Sequence, residues 1–371
     1  MNMLSPAPPS LASRPHFEIL DGLRGIAAVA VVIFHFMEMV EMDYAKSFIG
    51  HGYLAVDFFF CLSGFVVAYA YDQRIALMGK AAFFRNRFIR LHPMIVMGAV
   101  LGLIGFFCDP YHLHGNDVRN YSLPLVFLST LFLLPYPVMN DKLFNLFGLN
   151  APAWSLFWEY MANIVYALVL WRLSRRWLWT LTILAAAALF YTAWNRTALF
   201  GGWDGKTFWD GGARLSFSFL AGMLVYRSGW RIPNRLGFAG VGLLCALIFL
   251  IPFNSSWTWL VDPLVAVFYH PFLICLGVGS TLPAWQKKIC RFSGDISYPL
   301  YMIHYWVIWI FADYMITRKP ATPEVVAVIT AGTLLLIGLA WLILKWYDEP
   351  VRNWLRNRSA ARLALKKGVE V

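Results

Sequence analysis

The sequence predicts an all-α polytopic membrane protein of about ten transmembrane helices plus one re-entrant or surface-lying segment, with both termini cytoplasmic. Three observations predict it. Of 371 residues, 60% are hydrophobic and only 14% charged, whereas a soluble chain needs about a quarter charged to coat its surface. Apolar runs near the ~20 residues that cross a ~30 Å hydrocarbon core recur along the whole chain. The basic residues gather in alternate connections, as cytoplasmic loops require.

The apolar runs fall at 19–40, 52–71, 93–108, 123–137, 153–171, 177–195, 211–226, 236–253, 259–280, 297–316 and 323–345. Five basic residues lie in 72–92, three each in 172–176, 227–235 and 281–296, and six after 345. Loops 72–92 and 172–176 can both be cytoplasmic only if an even number of segments crosses between them, and three candidates lie there. The weakest is 123–137, which is short and holds Pro124, Pro135 and Pro137, so it is expected not to cross. Ten crossings remain, and 109–152 becomes the largest excursion on the outer face.

The net charge of +11 is thereby explained by topology, and no nucleic-acid partner is needed. Residues 1–18 are Pro/Ser-rich, and the first apolar run carries Arg24, His35 and Glu38, so it is expected to remain as an anchor, without a cleavable signal peptide. The five cysteines have no paired spacing and read as small core residues. The expected organisation is an N-terminal cytoplasmic extension (1–18), one transmembrane domain (19–345) and a basic cytoplasmic tail (346–371) too short for a further domain. No oligomeric state is legible.

Ionisable residues inside apolar runs usually face a cavity. Arg24 and His35 are eleven residues apart, which is about 20° beyond three full helical turns, so they share one stripe about 16 Å apart in height. The bland alternative is a snorkelling arginine and a hydrogen-bonded core histidine. Asp57, in GHGYLAVDFFFCLSGF, can orient a histidine or anchor helix packing, with Ser63–Gly64 allowing close contact. APAWSLFWEY places Trp154, Ser155 and Glu159 in the outer third of the next inward-running segment. Glu159 can bind a sugar hydroxyl, hold an imidazolium, or pair with a neighbour such as Arg214.

Arg85, Arg87 and Arg90 in FFRNRFIRLHP form either a positive-inside anchor or a phosphate-binding patch for a nucleotide cofactor. GDISYPLYMIHYW carries Ser297–Tyr298 and His304. That histidine and His270 are more easily read as packing than as reacting. No Walker loop, nucleophile elbow or GxGxxG is present, and His112-x-His114 is too weak a metal signal to imply a metal site.

These segments together resemble the acyltransferase-3 family, multipass membrane O-acyltransferases of surface polysaccharides and related acceptors. The resemblance spans nearly the whole chain. It rests on LDGLRGIAAVAVVIFHF, GYLAVDFFFCLSGF, RFIR, WSLFWEY, GDISYPLYMIH and YDEPVR in that order. Departures are Cys61, where valine is more usual, and Asp348 at a variable position; the chain as given is expected to lack the C-terminal hydrolase-like domain of some relatives. The resemblance implies ten crossings and a bacterial inner-membrane location. It also implies acetyl-CoA or another acyl-CoA as cytoplasmic donor, and a hydroxyl of an extracytoplasmic glycan or glycolipid as acceptor. By position it makes Arg24 and His35 the essential pair, Arg87 and Arg90 the cytoplasmic arginines, Glu159 the acid of the WSLxxE pattern, and Ser297–Tyr298 its Ser-Tyr pair.

Acyl transfer from a thioester needs a base for the attacking hydroxyl and a donor for the developing oxyanion. Free imidazole, with a pKa of about 6.5, suits proton transfer near neutral pH, so His35 is the expected base, or it carries the acyl group transiently. Asp57 or Glu159 is expected to orient its ring, Arg24 to hold the CoA arm, and Arg85, Arg87, Arg90, Ser297 and Tyr298 to bind the donor. Trp154, Ser155, Arg214 and His304 are expected on the acceptor side. A transporter or flippase would also bury charges, yet it predicts inverted repeats, which the halves do not show. A membrane sensor or scaffold gives no reason for the Arg24–His35 stripe.

Overall fold

The computed structural model describes residues 16–113, 122–138 and 145–366, with side chains to 361. Most of the N-terminal extension, with Arg14, and His114, Asn116, Asp117, Arg119, Asn140 and Lys142 lie outside the described residues. Among the described residues the regular structure is helical, apart from one isolated bridge between Asn234 and Ser280.

Helix α1 (Glu18–Val40) opens with Glu18 and Asp21 in its first turn, where carboxylates complement the helix dipole. A 3-10 turn at Gly52–Leu54 leads into α2 (Ala55–Tyr71). Short α3 (Ile75–Met78) and α4 (Lys80–Cys108) follow, separated by Gly79 at φ +79. Next come α5 (Leu123–Leu131), α6 (Ala153–Leu168), α7 (Arg175–Arg196), α8 (Phe208–Ser228) and α9 (Gly237–Phe249). Helices α10 (Thr258–Leu264) and α11 (His270–Gly279) join through a π-turn. Helices α12 (Ala284–Ile303) and α13 (Tyr305–Arg318) meet at His304. The chain closes with α14 (Thr322–Ile343) and α15 (Glu349–Lys366), again joined by a π-turn.

Six stretches are long and apolar enough to cross a membrane: Glu18–Val40, Gly52–Tyr71, Lys80–Cys108, Arg175–Arg196, Thr258–Gly279 and Thr322–Ala361. Each matches a predicted segment. The other four predicted crossings correspond to helices that are shorter, more polar or broken: α6 has 16 residues, α9 has 13, α8 carries Asp210, Arg214 and Arg227, and the tenth run is split at His304. Within 123–137 the only helix, α5, has nine residues, a rise of about 14 Å and less than half a hydrocarbon core. Two helices start earlier than hydropathy suggests, at Lys80 rather than 93 and at Ala284 rather than 297. Hydropathy marks where lipid begins, not where backbone hydrogen bonding begins.

The outward faces fit a lipid surround. On α7, Ile183 and Leu184 are exposed, as are Leu334 and Leu335 on α14, an apolar exterior that water would not tolerate over such an area. With these helices the chain is a multi-pass membrane protein. The densest packing joins α2 to α8 and α1 to α12. Gly64 and Gly222 make the first contact possible, since a side chain at either would strike the backbone carbonyl of Phe219 or Cys61 across the seam.

Candidate active site

On α1, His35 and Glu38 are one turn apart, and His35 Nδ1 lies 3.0 Å from Glu38 Oε2. The Tyr44 hydroxyl, from the following loop, donates to Glu38 Oε1 at 2.5 Å. Burial, and then the charge of Glu38, push that phenol up from its usual pKa, so it stays a donor. The His35 ring stacks on His304 at 5.3 Å with 22° between planes, and Tyr305 meets its edge at 5.1 Å. With Nδ1 directed at a carboxylate, the proton sits there and Nε2 is the nitrogen able to accept another.

Nearer the start of α1, Arg24 donates from Nε to Ser297 Oγ at 2.8 Å and from Nη2 to the Gly294 carbonyl at 2.6 Å, with Asp21 at 3.4 Å. Arg87 on α4 donates to Glu159 Oε1 on α6 at 2.5 Å, and Ser63 Oγ on α2 donates to the same oxygen at 3.0 Å. Arg90 lies 5.9 Å over the Tyr298 ring, whose hydroxyl donates to the Leu91 carbonyl. Among the described residues Arg90 has no carboxylate within ion-pair distance.

Two cavities organise these groups. One is lined by His35, Glu38, Tyr44, Trp154, Arg214 and Tyr305, with further aromatic walls from Phe34, Tyr53, Phe200 and Trp203. The other, the roomier of the two, is lined by Arg24, Arg87, Arg90, Ser63, Glu159, Ser297 and Tyr298. Val56 and Tyr301 line both. Ser155 faces the arginine cavity.

Several expected assignments change. Asp57 does not meet His35: it binds Arg214, which donates from Nη2 at 2.6 Å and from Nε at 3.1 and 3.2 Å, both side chains being essentially fully buried. Arg214 also donates to the carbonyls of Gly201 and Tyr53, so its fork is consumed in holding the fold. Glu159 therefore pairs with Arg87 rather than Arg214 or His35. Arg85 lines neither cavity, and His304 stands behind the wall. Its Nδ1 faces the carbonyls of Tyr301 and Leu300 and so keeps the proton, leaving Nε2 buried without a partner among the described residues. Ser63 and Gly64 separate in role: Gly64 packs on α8 while Ser63 holds Glu159. Sequence reasoning overlooked Glu38 as the histidine's partner, although its i,i+3 spacing from His35 was visible. Among the described residues no three His, Cys, Asp or Glu side chains gather to hold a metal.

The structure is thus a helical bundle with a histidine cavity and an arginine cavity that share the lining residues Val56 and Tyr301. Residues 17–345 match the acyltransferase-3 family, described as an acyltransferase domain, and the chain belongs to that family. It is similar to Protein 2 in picA locus of Rhizobium radiobacter, 35% identical over 179 residues covering 44% of this chain and 85% of that protein. It is 24% identical to the peptidoglycan O-acetyltransferase OatA of Listeria monocytogenes, covering 92% of this chain and 56% of that one. The O-acetyltransferase OatA of Staphylococcus aureus is 25% identical, with 94% and 59% covered. The chain thus spans little more than half the length of these two O-acetyltransferases. No solved structure matches it.

Proposed function

We propose that the protein is a membrane O-acyltransferase that moves an acyl group, most simply acetyl, from cytoplasmic acyl-CoA to a hydroxyl of an extracytoplasmic or lipid-linked glycan. One observation carries this reading: His35 and the arginines line separate cavities that share Val56 and Tyr301 in their walls. In it the arginine cavity takes the donor, since Arg90 without a carboxylate and the Arg24 and Arg87 guanidiniums suit phosphate oxygens. The His35 cavity takes the acceptor, because its aromatic walls suit the apolar faces of a sugar ring while few polar groups fix its hydroxyls. The O-acetyltransferase names of two relatives support the same chemistry.

In the reaction, His35 Nε2 takes the proton of the acceptor hydroxyl as its oxygen attacks the thioester carbonyl. A C–O ester bond forms, the C–S bond breaks, and the proton passes to the departing CoA thiolate. Glu38 stabilises the imidazolium through Nδ1. Ten crossings, with both termini inside a bacterial inner membrane, put the arginine cavity toward the cytoplasm.

Purified protein given radiolabelled acetyl-CoA and membrane glycan tests the reading. Thioester loss with label in the glycan is expected. Solute movement without thioester loss would support a transporter instead.

A further inference from the structure

Four helices, α1, α2, α6 and α12, contribute to both cavities. On α1, Arg24 faces one cavity and Val31 and His35 the other. On α2, Val56 borders both, and the lining residues from Phe59 onward face only the arginine side. On α6, Trp154 faces the histidine and Ser155 the arginines; on α12, Ser297 and Tyr298 face the arginines and Tyr301 borders both. Val56 and Tyr301 are the two residues that line both cavities, and both are nearly fully buried, at 7% and 6% exposed.

Both residues are held in place. The Ser155 and Tyr301 hydroxyls share a hydrogen bond at 2.8 Å, and both reach the Pro152 carbonyl, at 3.0 and 3.5 Å. Phe59 meets the Tyr301 ring edge-on at 5.6 Å, and His304 lies on it at 6.0 Å. Val56 carries a branched side chain that has essentially one comfortable rotamer in a helix. Resting on the donor reading above, we propose that Val56 and Tyr301 form an acyl gauge, a fixed neck that admits an acetyl group to His35 and rejects longer chains. An acyl group carried up from the arginine cavity enters this neck first. Each added methylene must displace one of two walls that packing and hydrogen bonding hold in place.

The test uses inverted membrane vesicles of producing cells, where the native acceptor is present, supplied with acetyl-, propionyl- or butyryl-CoA. The readout is the ratio of label transferred from each thioester, which does not depend on how much protein folds. Wild type is expected to favour acetyl, since one methylene in a tight apolar site is worth about 10–200-fold. Val56→Ala is expected to raise the butyryl-to-acetyl ratio about tenfold or more. Ser155→Ala, which removes the shorter of the Tyr301 hydroxyl's two hydrogen bonds, should raise it in the same direction. An unchanged ratio in both variants, with acetyl transfer still detectable, overturns the gauge alone. Loss of none of the three thioesters in wild-type vesicles overturns the donor reading, and the gauge with it.

Discussion

His35 Nδ1 faces the Glu38 carboxylate at 3.0 Å, one turn away on the same helix, while Asp57 and Glu159 are each committed to an arginine. The proposed base and the carboxylate beside it are therefore delivered by one continuous stretch of α1. Tyr44 fixes the other carboxylate oxygen, so Glu38 cannot rotate away without breaking a second hydrogen bond.

Glu38→Gln keeps the shape and removes the charge that stabilises an imidazolium. Transfer is expected to fall about 10²–10⁴-fold in kcat, with the KM for acetyl-CoA little changed. Steady-state kinetics on purified protein at several acetyl-CoA concentrations checks this split. A rise in KM with kcat intact would instead make Glu38 a donor-binding residue.

Arg90→Ala should act in the opposite sense. Charge-assisted hydrogen bonds to phosphate contribute about 1.5–3 kcal/mol, so the KM for acetyl-CoA is expected to rise about 10- to 100-fold while kcat changes less. Arg85→Ala, whose side chain lines neither cavity, is expected to leave that KM near wild type.

Asp57→Ala leaves the Arg214 guanidinium buried without its carboxylate, which costs about 3–5 kcal/mol. Thermal unfolding in detergent should show a lowered Tm. Combining it with Arg214→Met should recover part of the loss. A folded, fully stable Asp57→Ala that is inactive would return Asp57 to the chemistry.

Gly64→Val would push a side chain into the Phe219 carbonyl and separate α2 from α8, whereas a methyl added at Gly338 on α14 would meet nothing within 4 Å. Gly64→Val is expected to abolish the folded yield. Gly338→Ala should be neutral or stabilise by up to about 1 kcal/mol. Detergent-extracted yield and Tm of the two variants check the contrast.

Much of this is legible in the sequence. The Arg24–His35 stripe follows from helical geometry, and α1 is continuous from Glu18 to Val40, so both side chains reach the cavity side of one helix. The short α5 follows from its prolines and length. What the sequence withholds is pairing between helices. Glu159 stands beside Arg87 because α4 and α6 pack together, and no spacing within either segment encodes that. Nor can hydropathy show that α2 and α8 approach closely enough for Asp57 to reach Arg214. Glu38 is within reach of sequence reasoning, yet the more distant carboxylates Asp57 and Glu159 drew attention away from the one three residues along.

The most direct measurement is acyl transfer by His35→Ala in membranes at matched expression, with acetyl-CoA binding followed separately. Transfer to the glycan is expected to vanish while the donor still binds, because the arginine cavity is built without His35. Transfer at the wild-type rate would contradict both His35 as base and His35 as acyl carrier.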